Sequence, residues 1–201
     1  MFALVESGSI TKMLNGNQGI TIDGIQHPRA IYTLWTEAER NAIGIYTVEI
    51  DNSKKKNEEW YTNTNITYAF SGGKVTGSYG DATAKAHADT LYTAQDETDG
   101  LGTEGDVKVE GLKTKLIRNV KAQAEGELNR TDWYVVRKSE EDTAIPSAIT
   151  THRKSVRSKQ AEMETAITNA SDTPALETLY TYTEQEDGTS ARPLGEIPNL
   201  D

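Results

Sequence analysis

The hydrophobic period changes along this chain, and that change limits what it can fold into. Between residues 60 and 70, Trp60, Thr62, Thr64, Ile66, Tyr68 and Phe70 recur at every second position, the spacing that puts side chains on one face of a strand. Beyond residue 111, apolar residues recur at every third or fourth position instead. Leu112, Leu116, Ile117, Val120, Ala124 and Leu128 form one such stripe, and Ile149, His152, Val156, Gln160, Met163 and Ile167 another. Between the two regimes, residues 95–110 hold six acids and one lysine with three glycines, the composition of a solvated linker. The fold class that follows is α+β. It comprises a small antiparallel β-rich domain with one short helix (1–80), a linker with a possible short helix (81–110), a helical module (111–180), and an extended acidic tail (181–201).

Turn and cap residues sharpen the picture. Asn15-Gly16 and Asp23-Gly24 suit tight turns at positive φ, with Ile10–Leu14 before the first and Ile20, Ile22 and Ile25 around the second. Thr36 with Glu39 fits a capping box and Gly44 a C-cap, which predicts a helix over 37–43 and a strand over 45–50. Gly72-Gly73 turns the 60–70 strand back into 74–79. The run 81–95 has helical composition. Thr131 and Asp132 are N-cap candidates for a short helix through Trp133, Val136 and Arg137. Pro146 opens a long helix over about 147–170, and Asp172 with Pro174 starts a last helical turn. The tail after Tyr180 is polar and proline-containing, so it is expected to be extended or disordered unless a partner orders it.

Charge and composition exclude several functions. Only 35% of the 201 residues are hydrophobic, a thin supply for a chain of a size that normally buries roughly 70% of its unfolded surface, so separate small cores or partner chains are one remedy. A net charge of -10 opposes nucleic-acid binding, whose affinity comes largely from neutralised phosphates, and binding to anionic membranes. The absence of cysteine removes disulfides and thiolate metal sites. Glu6 interrupts any apolar signal core, and no run approaches the ~20 apolar residues of a membrane span, so a product that starts out soluble in the cytoplasm is expected.

Catalytic patterns are missing. His27, His87 and His152 fall on three different elements, and neither an HExxH pair nor a GxSxG elbow occurs. From Asp96 onward, Thr98 and Gly100 occupy positions where a calcium loop needs ligands. SGGKVTGSYG follows a strand without leading into a helix, unlike a phosphate-binding loop. Glu58 and Glu59 are adjacent, so on a strand they face opposite ways and cannot flank one glycosidic bond. No enzyme, cofactor or metal is expected.

The candidate functional residues are therefore those suited to protein contact. Trp60, Tyr68 and Phe70 share a strand face that either packs on the domain's own core or docks on another chain. Trp133 either closes the helical core or anchors an interface, where Trp and Arg are enriched. His152, Arg153, Lys154, Arg157 and Lys159 cluster within two turns of an otherwise acidic chain, as a solvated face or as a docking patch for an acidic surface. Arg137 and Met163 complete the partner-binding set.

The run TDWYVVRKSEEDTAIP at 131–146, followed by a helix containing HRKSVR and EMETAITNA, resembles the C-terminal module of tailed-bacteriophage tail proteins and tail-fibre assembly proteins. The matching positions are Thr131, Asp132, Trp133, Arg137, Arg153 and Arg157, and GLKTKLIRNVKAQA resembles the helix that precedes the module. The front of the chain, with TLWTEAERNAIGIY and EEWYTNTN, resembles small marine-phage tail proteins. The likeness touches most of 1–180, is strongest over 111–180, and has no counterpart for the tail. It implies a structural protein of the tail or baseplate, an adaptor for a fibre or spike, located in the virion tail. It equally implies the alternative of a fibre-assembly chaperone. Expected partners are other tail, baseplate or fibre proteins, with several copies of this chain in a symmetric assembly.

Overall fold

Tight glycine turns start the fold. Ser7-Gly8, Asp23-Gly24 and Gly72-Gly73 all have positive φ at both positions, the conformation whose twist matches paired strands. They close the hairpins β1 (Phe2–Glu6) with β2 (Ser9–Leu14), β3 (Ile20–Ile22) with β4 (Ile25–His27), and a third formed nearer residue 72. The structure is a computed structural model that describes residues 1–200. The chain divides into two units, Met1–Thr83 and Ala84–Asp201. Both strands and helices are present, strand-rich in front and helical behind, so the class is α+β.

In the first unit, α1 (Ile31–Leu34) and α2 (Glu37–Ala42) lead into β5 (Ile45–Asp51), then β6 (Tyr61–Thr62), β7 (Thr67–Ser71) and β8 (Lys74–Ser78). The capping box of α2 forms as the sequence predicts: Thr36 N–H donates to Glu39 Oε2 at 2.7 Å, and Glu39 N–H donates back to Thr36 Oγ1. Five strands make one sheet in the order β2-β1-β5-β8-β7. The sheet departs from a purely antiparallel arrangement at one place, where β5 and β8 run parallel with Val48 opposite Val75. The chain after β5 leaves the sheet, returns as the outer strand β7, and turns back through Gly72-Gly73 into the gap beside β5. β8 therefore enters in β5's direction.

The two faces of this sheet bury separate side-chain sets. Leu4, Leu14 and Ile45 pack with Ile20, Ile22, Ile31 and Tyr32 from the covering hairpin and α1. Ala3, Val5, Val48 and Val75 form the opposite face, closed by Ile10, Met13, Tyr46, Tyr68 and Phe70. The outer strands β2 and β7 approach one another, so the sheet curls over this second set.

The continuous strand expected over 60–70 is broken. Only Tyr61–Thr62 and Thr67–Ser71 are strand. Between them, the Asn63 side chain bonds both the N–H and the carbonyl of Lys56 at 2.9 Å, and Thr64 Oγ1 accepts from Gly80 N–H at 2.7 Å. These side-chain bonds take the backbone out of the ladder.

Ala84 ends β9 (Thr83–Ala84), and the second unit continues with β10 (Thr90–Leu91), α3 (Ala94–Thr98) and β11 (Val107–Val109), β10 and β11 pairing antiparallel. The helical composition of 81–95 is overridden. Its Ala86 and His87 carbonyls accept from Leu112 and Lys113 N–H, and Asp89 accepts from Gly111 N–H at 2.6 Å and Thr114 Oγ1 at 2.7 Å. This segment thus supplies partners for the free amides that begin α4 (Leu112–Asn129). A Cβ on Gly111 would stand 2.4 Å from the Ala88 carbonyl, so only glycine allows the approach.

Next come α5 (Asp132–Glu141), α6 (Ser147–Asn169) and α7 (Thr173–Tyr180). α4 packs on α6, burying Leu116, Val120 and Ala124 with Ile149, Val156, Met163 and Ile167. Asp172 caps α7 by accepting from Ala175 N–H at 2.8 Å. The tail differs from the extended or disordered segment expected of its composition. It forms β12 (Thr183–Glu184) and β13 (Ser190–Ala191), then buries Leu194 to 2% exposure with its N–H on the Leu179 carbonyl. Arg192 lies over the Tyr180 and Tyr182 rings and pairs with Glu196 at 2.7 Å. One apolar plug and a stacked arginine give the acidic tail a seat on its own unit. No helix among the described residues is long and apolar enough to cross a membrane.

Candidate functional site

The turn between α4 and α5 is held by a buried polar cluster. Arg153, 8% exposed, reaches from α6 to donate to the Leu128 carbonyl at 2.9 Å and Thr131 Oγ1 at 2.6 Å, and pairs with Asp132 at 2.8 Å. Thr131, expected as a capping side chain, donates its hydroxyl to Leu128 O instead and makes no cap bond. Beside it, Glu127 is buried and accepts from Arg130 at 2.9 Å and from the tail's Leu200 N–H at 2.7 Å. His152 Nε2 stands 2.9 Å from Glu127 Oε1, close enough for an ion pair when protonated but with no aligned hydrogen bond. Burial alone would raise the Glu127 carboxyl, but the Arg130 and Leu200 donors, the Arg130 charge and His152 together hold it below the ordinary value.

This cluster fixes where α5 projects, and α5 buries none of its ten residues. Trp133, Val135 and Val136 are 50%, 43% and 53% exposed. The Trp133 and Tyr134 rings stack with centroids 3.8 Å apart, and the Arg137 guanidinium lies 4.7 Å from the first and 5.5 Å from the second. Arg137 has no ion-pair partner among the described residues, and its Nε has no hydrogen-bond partner. A cation held over two rings, flanked by exposed valines, is ordered without being used inside the fold.

The predicted site residues thus separate. Trp133 and Arg137 come together on α5. Arg157 is exposed on α6, where its Nη1 reaches the Arg153 carbonyl at 3.5 Å. His152 and Arg153 turn inward and tie α6 to the α4–α5 junction, so the basic cluster is not one outward patch. Met163 is 1% exposed and belongs to the α4–α6 core. Trp60 is buried at 3%, and half-buried Tyr68 and Phe70 pack on the sheet's own second face, Phe70 against Tyr46 at 4.8 Å. Tyr68 and Phe70 thus help close the first unit's own core.

Glu127, Tyr134 and Val135 are the residues that sequence reasoning missed. Glu127 continues the buried register 116, 120, 124, and a carboxylate in an apolar stripe is a readable signal for a buried polar cluster. Tyr134 and Val135 lie off the short apolar stripe assigned to α5, and no periodicity marks a helix that buries none of its residues.

Among the described residues, no group of three His, Asp or Glu is placed to hold a metal ion. A cleft of about 630 Å³ in the first unit is lined by Lys12, Asn15, Gln18 and Tyr32 among others, with no carboxylate or histidine to act as a base. No protein-family profile, curated protein or solved structure matches this chain.

Proposed function

We propose that this chain is a non-enzymatic structural component of a bacteriophage tail or baseplate, an adaptor that attaches a fibre or spike through protein–protein contacts. The observation that carries the contact reading is α5, a helix that leaves two aromatic rings, two valines and an arginine outside any core. Trp, Tyr and Arg are the residues in which binding energy concentrates at interfaces. The assignment to a phage tail rests on the resemblance over 131–157. In this reading the buried Arg153 cluster holds α5 at a fixed angle, so little ordering cost remains at binding. Quantitative mass spectrometry of purified virions tests it. A fixed stoichiometry to the tail proteins is expected, and absence from virions removes the adaptor role.

A chaperone reading is favoured by the valines. Val135 and Val136 would cover apolar surface of a folding fibre and leave once trimers form. Co-expression with the fibre distinguishes the two. A fibre equally soluble and trimeric without this chain excludes the chaperone.

A further inference from the structure

We infer that the face of α5 carrying Trp133, Val136, Arg137 and Glu140 pairs with the same face of a second copy of this chain. This rests on the reading of α5 as a protein-docking helix and names one occupant for it. Positions 133, 136, 137 and 140 follow the three-four spacing that keeps side chains on one side of a helix. Arg137 and Glu140 enter no ion pair among the described residues, although Arg137 is fixed over Trp133 and Tyr134. An unpaired, ordered arginine is conspicuous in a chain with ten more acids than bases, 31 against 21.

The pattern is self-complementary. Two copies related by a two-fold axis run antiparallel, and an axis between positions 136 and 137 sets Trp133 of one against Glu140 of the other. Arg137 lies over that same Trp133, so it meets the Glu140 carboxylate of the second copy. The axis repeats this pair, while the Val136 side chains meet near its centre. Each copy thus supplies one cation and one anion beside Trp133 and Val136, which are 50% and 53% exposed in the monomer. Stable complexes bury about 800 Å² per partner, more than a helix of roughly 15 Å can provide alone, so the pairing is weak and concentration-dependent.

Sedimentation of the full chain over about 1–500 μM, a span of weak to moderate affinities, tests the inference. The wild type is expected to pass from monomer to dimer. Arg137→Glu and Glu140→Arg, each placing like charges across the axis, are each expected to weaken association by at least about tenfold. The double variant R137E/E140R is expected to restore it. Circular dichroism of each variant identifies any that fails to fold, and the charge-exchanged double variant then decides alone. A monomer throughout, or a dimer indifferent to both single changes, overturns the inference. If the wild type stays monomeric while Trp133→Ala abolishes capture of a purified tail protein, this pairing fails and the docking reading stands. If Trp133→Ala leaves that capture intact while the dimer follows the charge exchange, the adaptor reading of α5 fails and the pairing stands.

Discussion

Arg153 shows how one side chain can decide the geometry of a site it does not join. Its guanidinium serves Leu128 O, Thr131 and Asp132 from a buried position, so truncation removes three contacts that tie α6 to the α4–α5 turn. Arg153→Ala is expected to cost about 1–3 kcal/mol, the usual loss of hydrogen bonds made by a charged group. Urea unfolding measures it, and a loss below about 1 kcal/mol would contradict the role. Carboxylates set the acid limit. Glu127 titrates below its unfolded value near 4.5, so it stabilises the fold above that pH and loses this contribution as pH falls through its lower folded value. Asp96 is held at about 2 by Lys108, then by the backbone and hydroxyl of Thr93. Its stabilisation is complete above 3.8 and is lost between there and about 2. Carboxyl NMR titration should place its midpoint near 2, and a midpoint near 3.8 would show that the Lys108 contact does not persist in solution.

Single elements differ in how plainly they are written. α2 was legible because Thr36 and Glu39 form a reciprocal cap that needs no tertiary help. α4 and α6 were legible because their stripes meet each other. The 60–70 strand is broken and most of 81–95, whose composition allowed a helix, is not helical because partners outside those runs decided them: Lys56 and Gly80 for the first, the start of α4 for the second. α5 was located by sequence, but its exposure was left open, since local pattern carries no information about what a helix fails to contact. Two tryptophans test the distinction. Trp60→Ala is expected to cost about 3–5 kcal/mol, as for a buried aromatic ring. Trp133→Ala should cost less than about 1 kcal/mol, as for a surface change. Thermal or urea unfolding of both variants checks the pair, and equal losses would place Trp133 in a core.

At the scale of the whole molecule, a chain poor in hydrophobic residues folds by building separate small cores, as its composition suggested. The tail adds to the second of these. Leu194 is its buried plug, and Glu127 and Arg130 hold Leu200. Leu194→Ala is expected to raise amide exchange across 181–200 while the α4–α6 core keeps its protection, and unchanged exchange would show that the polar contacts suffice alone. Acidic composition hid this seat because its few decisive residues are scattered among exposed ones. On the proposed reading, α5 is where this protein meets another. A photo-cross-linking residue at position 133, compared with one at exposed Lys74 during phage infection, tests it most directly. Adducts to an identified tail, baseplate or fibre protein, or to a second copy, are expected from position 133 alone. Equal yields from both positions, or no adduct from position 133, would contradict it.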